Sequence, residues 1–305
     1  MNRRNVCRIL GSSVILPRAL CAAAKEGFSI RYVLSSALYG DLPLDEVLGE
    51  VRKSGAESID IWRKVHATHR EQIEAMGDGA FQALLKTHGV VLSISTCYPL
   101  GPFLQDDEMR WVKKNGGNMT VCGSGKMGDS DVSGAEAKTQ VRAFFEKLKP
   151  HYELAEELGV TMAIENHKNS MLSSPDSIRY FAEMNPSRSV GIAFAPHHLH
   201  EEVAQIPELI RHCGKENLPF IYFQEYHRSA KEKMAKEEEM KQLPGFGSLD
   251  YLPIIAALKE IGFGGLAEIF MHPMPRGIPV LPTAAEITEK VGVSRRYIEQ
   301  CLAKA

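Results

Sequence analysis

The body of this 305-residue sequence contains no run of about twenty apolar residues, so it offers no membrane-spanning helix. It has no basic excess either: 36 Lys and Arg stand against 38 Asp and Glu, a formal charge of −2. That leaves little to grip a phosphate backbone, and nucleic acid is not an expected partner. The six Cys include no C-x-x-C pair and read as neither a zinc site nor a disulfide framework. Cys97 and Cys122 end two neighbouring predicted strands, where one bridge is conceivable, but two buried thiols are the favoured reading. A glycine-rich phosphate loop is also missing, because Ser35-Ser36-Ala37-Leu38 closes the first apolar run. What remains is ordinary globular composition, 44% hydrophobic and 24% charged, in a chain long enough for a large core.

Residues 1–24 stand apart. They carry Arg3, Arg4, Arg8 and Arg18, no acidic residue, and an apolar stretch that ends in Ala22-Ala23-Ala24. A basic start, an apolar middle and an A-x-A-like end are the marks of a cleaved leader. Arg3-Arg4 ahead of that stretch resembles a twin-arginine export signal, although Arg8 falls where such signals are apolar. An amphipathic N-terminal helix is the plainer alternative. The expectation is a leader over 1–24, a folded domain over 25–305, and a periplasmic protein with no membrane contact once the leader is removed. Cleavage after Ala24 leaves 281 residues, the four cysteines Cys97, Cys122, Cys213 and Cys301, and a charge of 32 − 38 = −6.

Eight short apolar runs are expected as strands: Phe28–Ser35, Ser58–Trp62, Val90–Cys97, Met119–Cys122, Val160–Glu165, Val190–Phe194, Phe220–Gln224 and Leu266–Phe270. Helical spacing predicts Leu44–Ser54, Phe81–His88, Asp106–Lys114 and Gly134–Leu158 between the first five. Ser174-Pro175-Asp176 then opens a helix with a Ser cap and Pro at its first position. Val203–His212, Leu249–Ile261 and Ala284–Leu302 complete the set. Eight alternations in 281 residues give about 35 per unit, the size of a βα unit. The expected fold is therefore α/β, a single-domain (β/α)8 TIM barrel, with an open doubly wound sheet as the alternative. The charge run over residues 229–242 reads as a solvated helix or loop, or else as a mobile cover over the barrel mouth.

In such barrels chemistry sits at the C-terminal strand ends. Here strand five ends in Glu165-Asn166-His167, strand six in Ala195-Pro196-His197-His198, strand seven in Gln224-Glu225-Tyr226-His227-Arg228, and strand eight in Glu268 followed by His272. Two glutamates closing apolar strands are costly to bury without a partner, which a cation or a substrate hydroxyl would supply. His167 follows Glu165 by two residues, so it shares a face and is a candidate acid-base or substrate-orienting group. Trp62 is a candidate for stacking on a sugar face, whereas Trp111, on a helix, is expected in the core. His272 and Arg276 could meet an anionic or polyhydroxy ligand, with a surface loop as the favoured reading.

These strand ends, with Gly55–Trp62, Ala163–His167, Val190-Gly191, Pro244–Asp250 and Ile261–Glu268, resemble the xylose-isomerase-like barrel superfamily of sugar isomerases, epimerases, dehydratases and abasic-site endonucleases. The resemblance covers roughly residues 28–302. It implies a divalent metal held by Glu, Asp, His and Glu on strands five to eight. Glu165 and Glu268 match that set. Ala195 stands where the Asp is expected, and the His position falls on Tyr222, or on Gln224 in a register shifted by two. His198 matches a substrate-contacting His, and Arg228 a substrate-binding Arg. The altered metal set is then Glu165, His198 (or His197), Gln224 and Glu268, whose N and O donors suit Mn, Zn or Mg.

The resemblance implies proton abstraction next to a carbonyl, with Glu165 and Glu268 as the acid/base pair, His167, His198, Arg228 and Trp62 as substrate contacts, and a cation polarising the carbonyl. An exported location points to a small unphosphorylated saccharide or keto-sugar. A dehydratase or lyase shares the first step, and a non-catalytic carbohydrate-binding barrel is the alternative that Ala195 favours. An endonuclease would need a metal cluster that these strand ends do not supply. A homo-oligomer is left open.

Overall fold

The computed structural model describes residues 27–305; the expected leader over 1–24 lies outside them. Eight strands, β1 (Arg31–Ser35), β2 (Ser58–Trp62), β3 (Val91–Thr96), β4 (Met119–Gly123), β5 (Thr161–Glu165), β6 (Val190–Phe194), β7 (Phe220–Phe223) and β8 (Leu266–Ile269), close into a barrel in chain order. Every neighbouring pair is parallel, including β8 with β1. All eight predicted runs are strands, and the open-sheet alternative is excluded. The strands are buried on both faces, which is why they read as continuous apolar runs.

Among the described residues ten helices accompany the strands: α1 (Leu44–Ser54), α2 (His69–Met76), α3 (Asp78–His88), α4 (Asp106–Lys114), α5 (Gly134–Leu158), α6 (Pro175–Met184), α7 (Ile206–Asn217), α8 (Lys236–Glu239), α9 (Leu252–Glu260) and α10 (Ala284–Lys304). Along α5, Val141, Phe144, Phe145 and Leu148 are buried on one face, and Gly159 ends the helix in the left-handed conformation at φ 62°. The Ser174 cap holds as expected, accepting from the Ser177 backbone N–H in a reciprocal capping box. Thr283 and Glu286 form a second box at the start of α10.

Several boundaries differ from the pattern: β1 starts at Arg31 and α3 at Asp78, three residues later and three earlier than expected. α2 was invisible because it buries only one apolar side chain, Ile73, beside His69 and Arg70. The predicted helix over Val203–His212 divides into a 3-10 turn (Val203–Gln205) and α7, with Pro207 in the first turn of α7. α9 starts at Leu252, three residues late, again with Pro in its first turn. Cys97, Cys122, Cys213 and Cys301 are free and buried, so the favoured thiol reading holds. Trp111 packs against the core, donates from Nε1 to Asp78 at 2.9 Å, and lies under the Arg70 guanidinium. No helix among the described residues is long and apolar enough to cross a membrane.

Candidate active site

A surface cleft of about 780 Å³ lies at the barrel end where the strands begin, lined by Arg31, Val91, Met119 and Leu266 among others. Its charged lining is Arg31, Lys113, Lys215 and Glu216, with no histidine among the lining residues. The chemistry collects at the opposite end, where βα loops carry function in this architecture. A smaller cleft of about 350 Å³ opens there beside His198, Lys168 and Glu201.

Glu165 ends β5, paired in register with Gly123 on β4 and Ala193 on β6. The next residue, Asn166, fastens the two strand ends. Its Oδ1 accepts from Ala195 N–H at 2.7 Å, and its Nδ2 donates to Ala195 C=O at 3.0 Å. This brings the turn Pro196–Leu199 over Glu165, with His198 Nε2 at 3.7 Å from Glu165 Oε1. The His198 ring centroid is 3.9 Å from that of His167 and 4.0 Å from that of His197. Burial raises the Glu165 carboxyl above the ordinary range, with His167, Tyr98 and Arg276 pulling it back. Burial likewise holds His197 and His198 far below the usual imidazole range, so both are neutral.

Glu165, His197 and His198 can each offer one donor atom, all within 4.8 Å of one another. Glu165 Oε2 and both ring nitrogens of His197 are buried without a hydrogen-bond partner. Unpartnered buried donors and neutral imidazoles are what a metal ion requires, and one carboxylate with two imidazoles fits a zinc-like ion. The residues present therefore fit a divalent ion, through a set shifted from the expected one.

Glu268 is outside this group. Parallel pairing sets it level with Val33 on β1 and Tyr222 on β7. Tyr222 is fully buried, and its hydroxyl lies 3.3 Å from that of Tyr98. So the aromatic ring that stands at the expected His position fills the barrel interior next to Glu268. Glu268 is 0% exposed and neither carboxyl oxygen has a hydrogen-bond partner of good geometry. The polar groups acting on it are Asp60, Ser35 and Trp62. Asp60, also fully buried, accepts from Thr96 Oγ1 at 2.5 Å. Burial pushes the Asp60 carboxyl up to about 7, and burial together with Asp60 raises Glu268 well above its ordinary range. Two such groups in a dry interior cannot both ionise at neutral pH.

Three other expected contacts stand elsewhere. Trp62 is 1% exposed and stacked on Phe270 at 4.8 Å and 12°, with His66 and Tyr98 around it, so its ring is structural and offers no face to a ligand. Gln224 donates its amide to Gln242 Oε1 at 3.0 Å instead of joining Glu165. Arg228 is exposed on a turn after β7, where its charge acts on Glu238. His167 is exposed at the rim, in contact with His198.

Arg276 is the arginine that reaches the mouth. Its Nη1 donates to His66 Nε2 at 2.9 Å and His272 Nδ1 at 2.5 Å, and its charge is felt at Glu165 and Tyr98. Gln242 fixes the base of that arrangement, accepting from His272 N–H at 3.0 Å and donating to His272 C=O at 2.8 Å. The same amide reaches Ser229 Oγ at 3.1 Å. Nearby, the buried Glu225 carboxylate accepts from Leu249 N–H at 2.8 Å. A Cβ at Gly247 would come within 2.1 Å of Glu225 Oε2 and 2.4 Å of the Lys241 carbonyl oxygen, so only glycine fits there. The charge run is thus anchored at both ends. The sequence offered Arg276 with His272 as a contact for an anionic or polyhydroxy ligand but favoured a surface loop, because Arg276 sits six residues beyond the predicted strand and nothing local ties it to His66.

A xylose isomerase-like TIM barrel family model matches residues 48–296, and the chain belongs to that family. No curated protein matches the chain in sequence. Among solved structures, an L-ribulose 3-epimerase aligns at 15% identity over 90% of this chain and 95% of its own, with TM-score 0.67. A D-psicose 3-epimerase with D-tagatose, from Clostridium cellulolyticum H10, aligns at 14% over 90% and 99%, TM-score 0.65. An IolI protein with a bound zinc atom aligns at 16% over 90% and 99%, TM-score 0.68. At these identities the likeness concerns the fold.

Proposed function

We propose that the chain is an enzyme of the sugar isomerase and epimerase kind, acting on a small unphosphorylated saccharide or keto-sugar by proton abstraction next to a carbonyl. The observation that carries this reading is the Glu165 carboxylate, buried yet facing the mouth, with one oxygen unpartnered beside His198. Burial raises its pKa, which suits a group that takes up and returns a proton. His198 and His167 orient substrate hydroxyls, and the Arg276 guanidinium adds positive charge at the mouth. Glu165, His197 and His198 would hold a divalent ion, which when bound supplies polarisation of the carbonyl and an adjacent hydroxyl. Because Glu268 is sealed beside Asp60, one carboxylate serves the mouth. One base suits same-face proton transfer or β-elimination better than inversion of a carbon, which needs groups on both faces.

The test is proton–deuterium exchange at the carbon next to the carbonyl, followed by NMR on a panel of keto-sugars in D2O with Mn or Zn supplied. Exchange by the parent that disappears in Glu165→Gln supports the reading. No exchange on any keto-sugar, with sugar binding retained, would transfer it to a non-catalytic carbohydrate-binding barrel, which Ala195 and Tyr222 favour. Export across the inner membrane is part of the proposal and rests on Arg3-Arg4 and Ala22–Ala24. Recovery of the chain from the periplasm with Lys25 as its first residue would support it, and an intact N-terminus in the cytoplasm would remove it.

A further inference from the structure

A guanidinium is always protonated and carries five N–H donors and no acceptor. In each of its two bonds, therefore, Arg276 is the donor, and His66 Nε2 and His272 Nδ1 are lone pairs on neutral rings. Burial and the Arg276 charge agree with this, pushing His66 down to about 3 and His272 well below its usual range. Both hydrogens of Nη1 are used in this way. No hydrogen bond or ion pair among the described residues engages Nε or Nη2, and none of the ion pairs includes Arg276. So a half-buried cation is aimed by two neutral imidazoles, with one edge of its fork unclaimed, and Glu165 is an anion it feels without pairing. Keeping a charge away from water without a counter-ion is costly, and a fork held rigid from one side is prepared for a planar anion on the other.

We propose that the ligand of this mouth is a sugar acid, whose carboxylate is held by the free Nε/Nη2 edge of Arg276 while its polyhydroxy, carbonyl-bearing chain runs toward Glu165. This deepens the reading of the mouth as a carbohydrate site and rests on it. Arg276 is then a specificity-determining residue, and His66 and His272 are positioning residues that aim it. A neutral saccharide would leave the cation uncompensated.

The test is calorimetric titration of the full chain with D-fructuronate, D-fructose and D-fructose 6-phosphate, in the parent, Arg276→Lys and Arg276→Met. The parent is expected to bind the keto-sugar acid about 30-fold more tightly than the neutral ketose, the scale of a charge-assisted pair. Arg276→Met should erase that preference, and Arg276→Lys, which keeps charge without the fork, should retain only part of it. Equal affinity for acid and neutral sugar in the parent, or a preference that survives Arg276→Met, would overturn the proposal. Tighter binding of the phosphate ester would overturn the carboxylate assignment. Thermal melts of each variant accompany the titrations; if Arg276→Met does not fold, parent against Arg276→Lys still decides. Binding is read apart from turnover. Acid preference without deuterium exchange on any sugar keeps this inference and removes the isomerase reading. Exchange on a neutral ketose that is indifferent to Arg276→Met does the reverse.

Discussion

Glu165 and Glu268 are the same residue type near the C-terminal ends of two strands, Glu165 last in β5 and Glu268 next to last in β8, and each is almost fully buried, at 4% and 0% exposure. Their surroundings separate them. Glu165 has imidazoles above it, a guanidinium acting on it, and one buried oxygen without a hydrogen-bond partner. Glu268 has another carboxyl beside it and the Tyr222 ring level with it. A carboxylate near donors and a cation can exchange protons with a ligand, whereas a carboxyl beside a carboxyl in a dry interior keeps its proton. Position on a strand selects candidates, and the company kept by each side chain decides among them.

The strongest way to break this contrast is kinetic. Glu165→Gln should lower the deuterium-exchange rate about 1000-fold, and Glu268→Gln about tenfold or less, both with folding verified by a melt. Equal losses would make the two carboxylates partners after all. Next comes metal. Replacing His197 and His198 together with Ala should weaken Zn binding about 100-fold in a chelator competition, while Glu268→Gln leaves it unchanged. Loss of the ion in Glu268→Gln would place that residue back among the ligands.

The sealed pair can be probed through pH. Burial pushes the Asp60 carboxyl up from about 3.9 in an unfolded chain to about 7 in the fold. Its raised pKa therefore contributes stability that is complete below the unfolded value and is lost as pH rises through the folded one. Between those limits the parent should lose about 5 °C of Tm relative to Asp60→Asn, whose profile should be flatter. A parallel pair of profiles would mean that Asp60 is ionised in the fold. The smallest effect concerns the open side's frame. Gly247→Ala should cost about 2 kcal/mol in a denaturant titration, because its new methyl meets Glu225 and the Lys241 carbonyl.

The eight strands were legible because both faces of each are buried, so local composition alone marks them. α2 was not, since its one inward side chain is Ile73 and the rest of its inner face is His69 and Arg70. At the site, Glu165 and His198 could be located from strand-end position, and the structure brings them together. His197 was seen only as a substitute for His198, although both turn toward Glu165. Asp60 lay in plain view inside the Gly55–Trp62 motif, yet alternation along one strand cannot reveal that it meets Glu268 from two strands away, across β1. Trp62 shows the converse: an aromatic at a strand end looks like a stacking platform until Phe270, from β8's end, covers it. Arg276 depends on a loop crossing to His66, a contact 210 residues apart in sequence.

Gln242 holds both backbone groups of His272 and also reaches Ser229. The stretch between Ser229 and Gln242 therefore acts as a tuning peg for the mouth. A residue gained or lost there would rotate His272 and swing the guanidinium it carries, with every strand left in place. Ligand preference in this barrel can then drift by loop length alone.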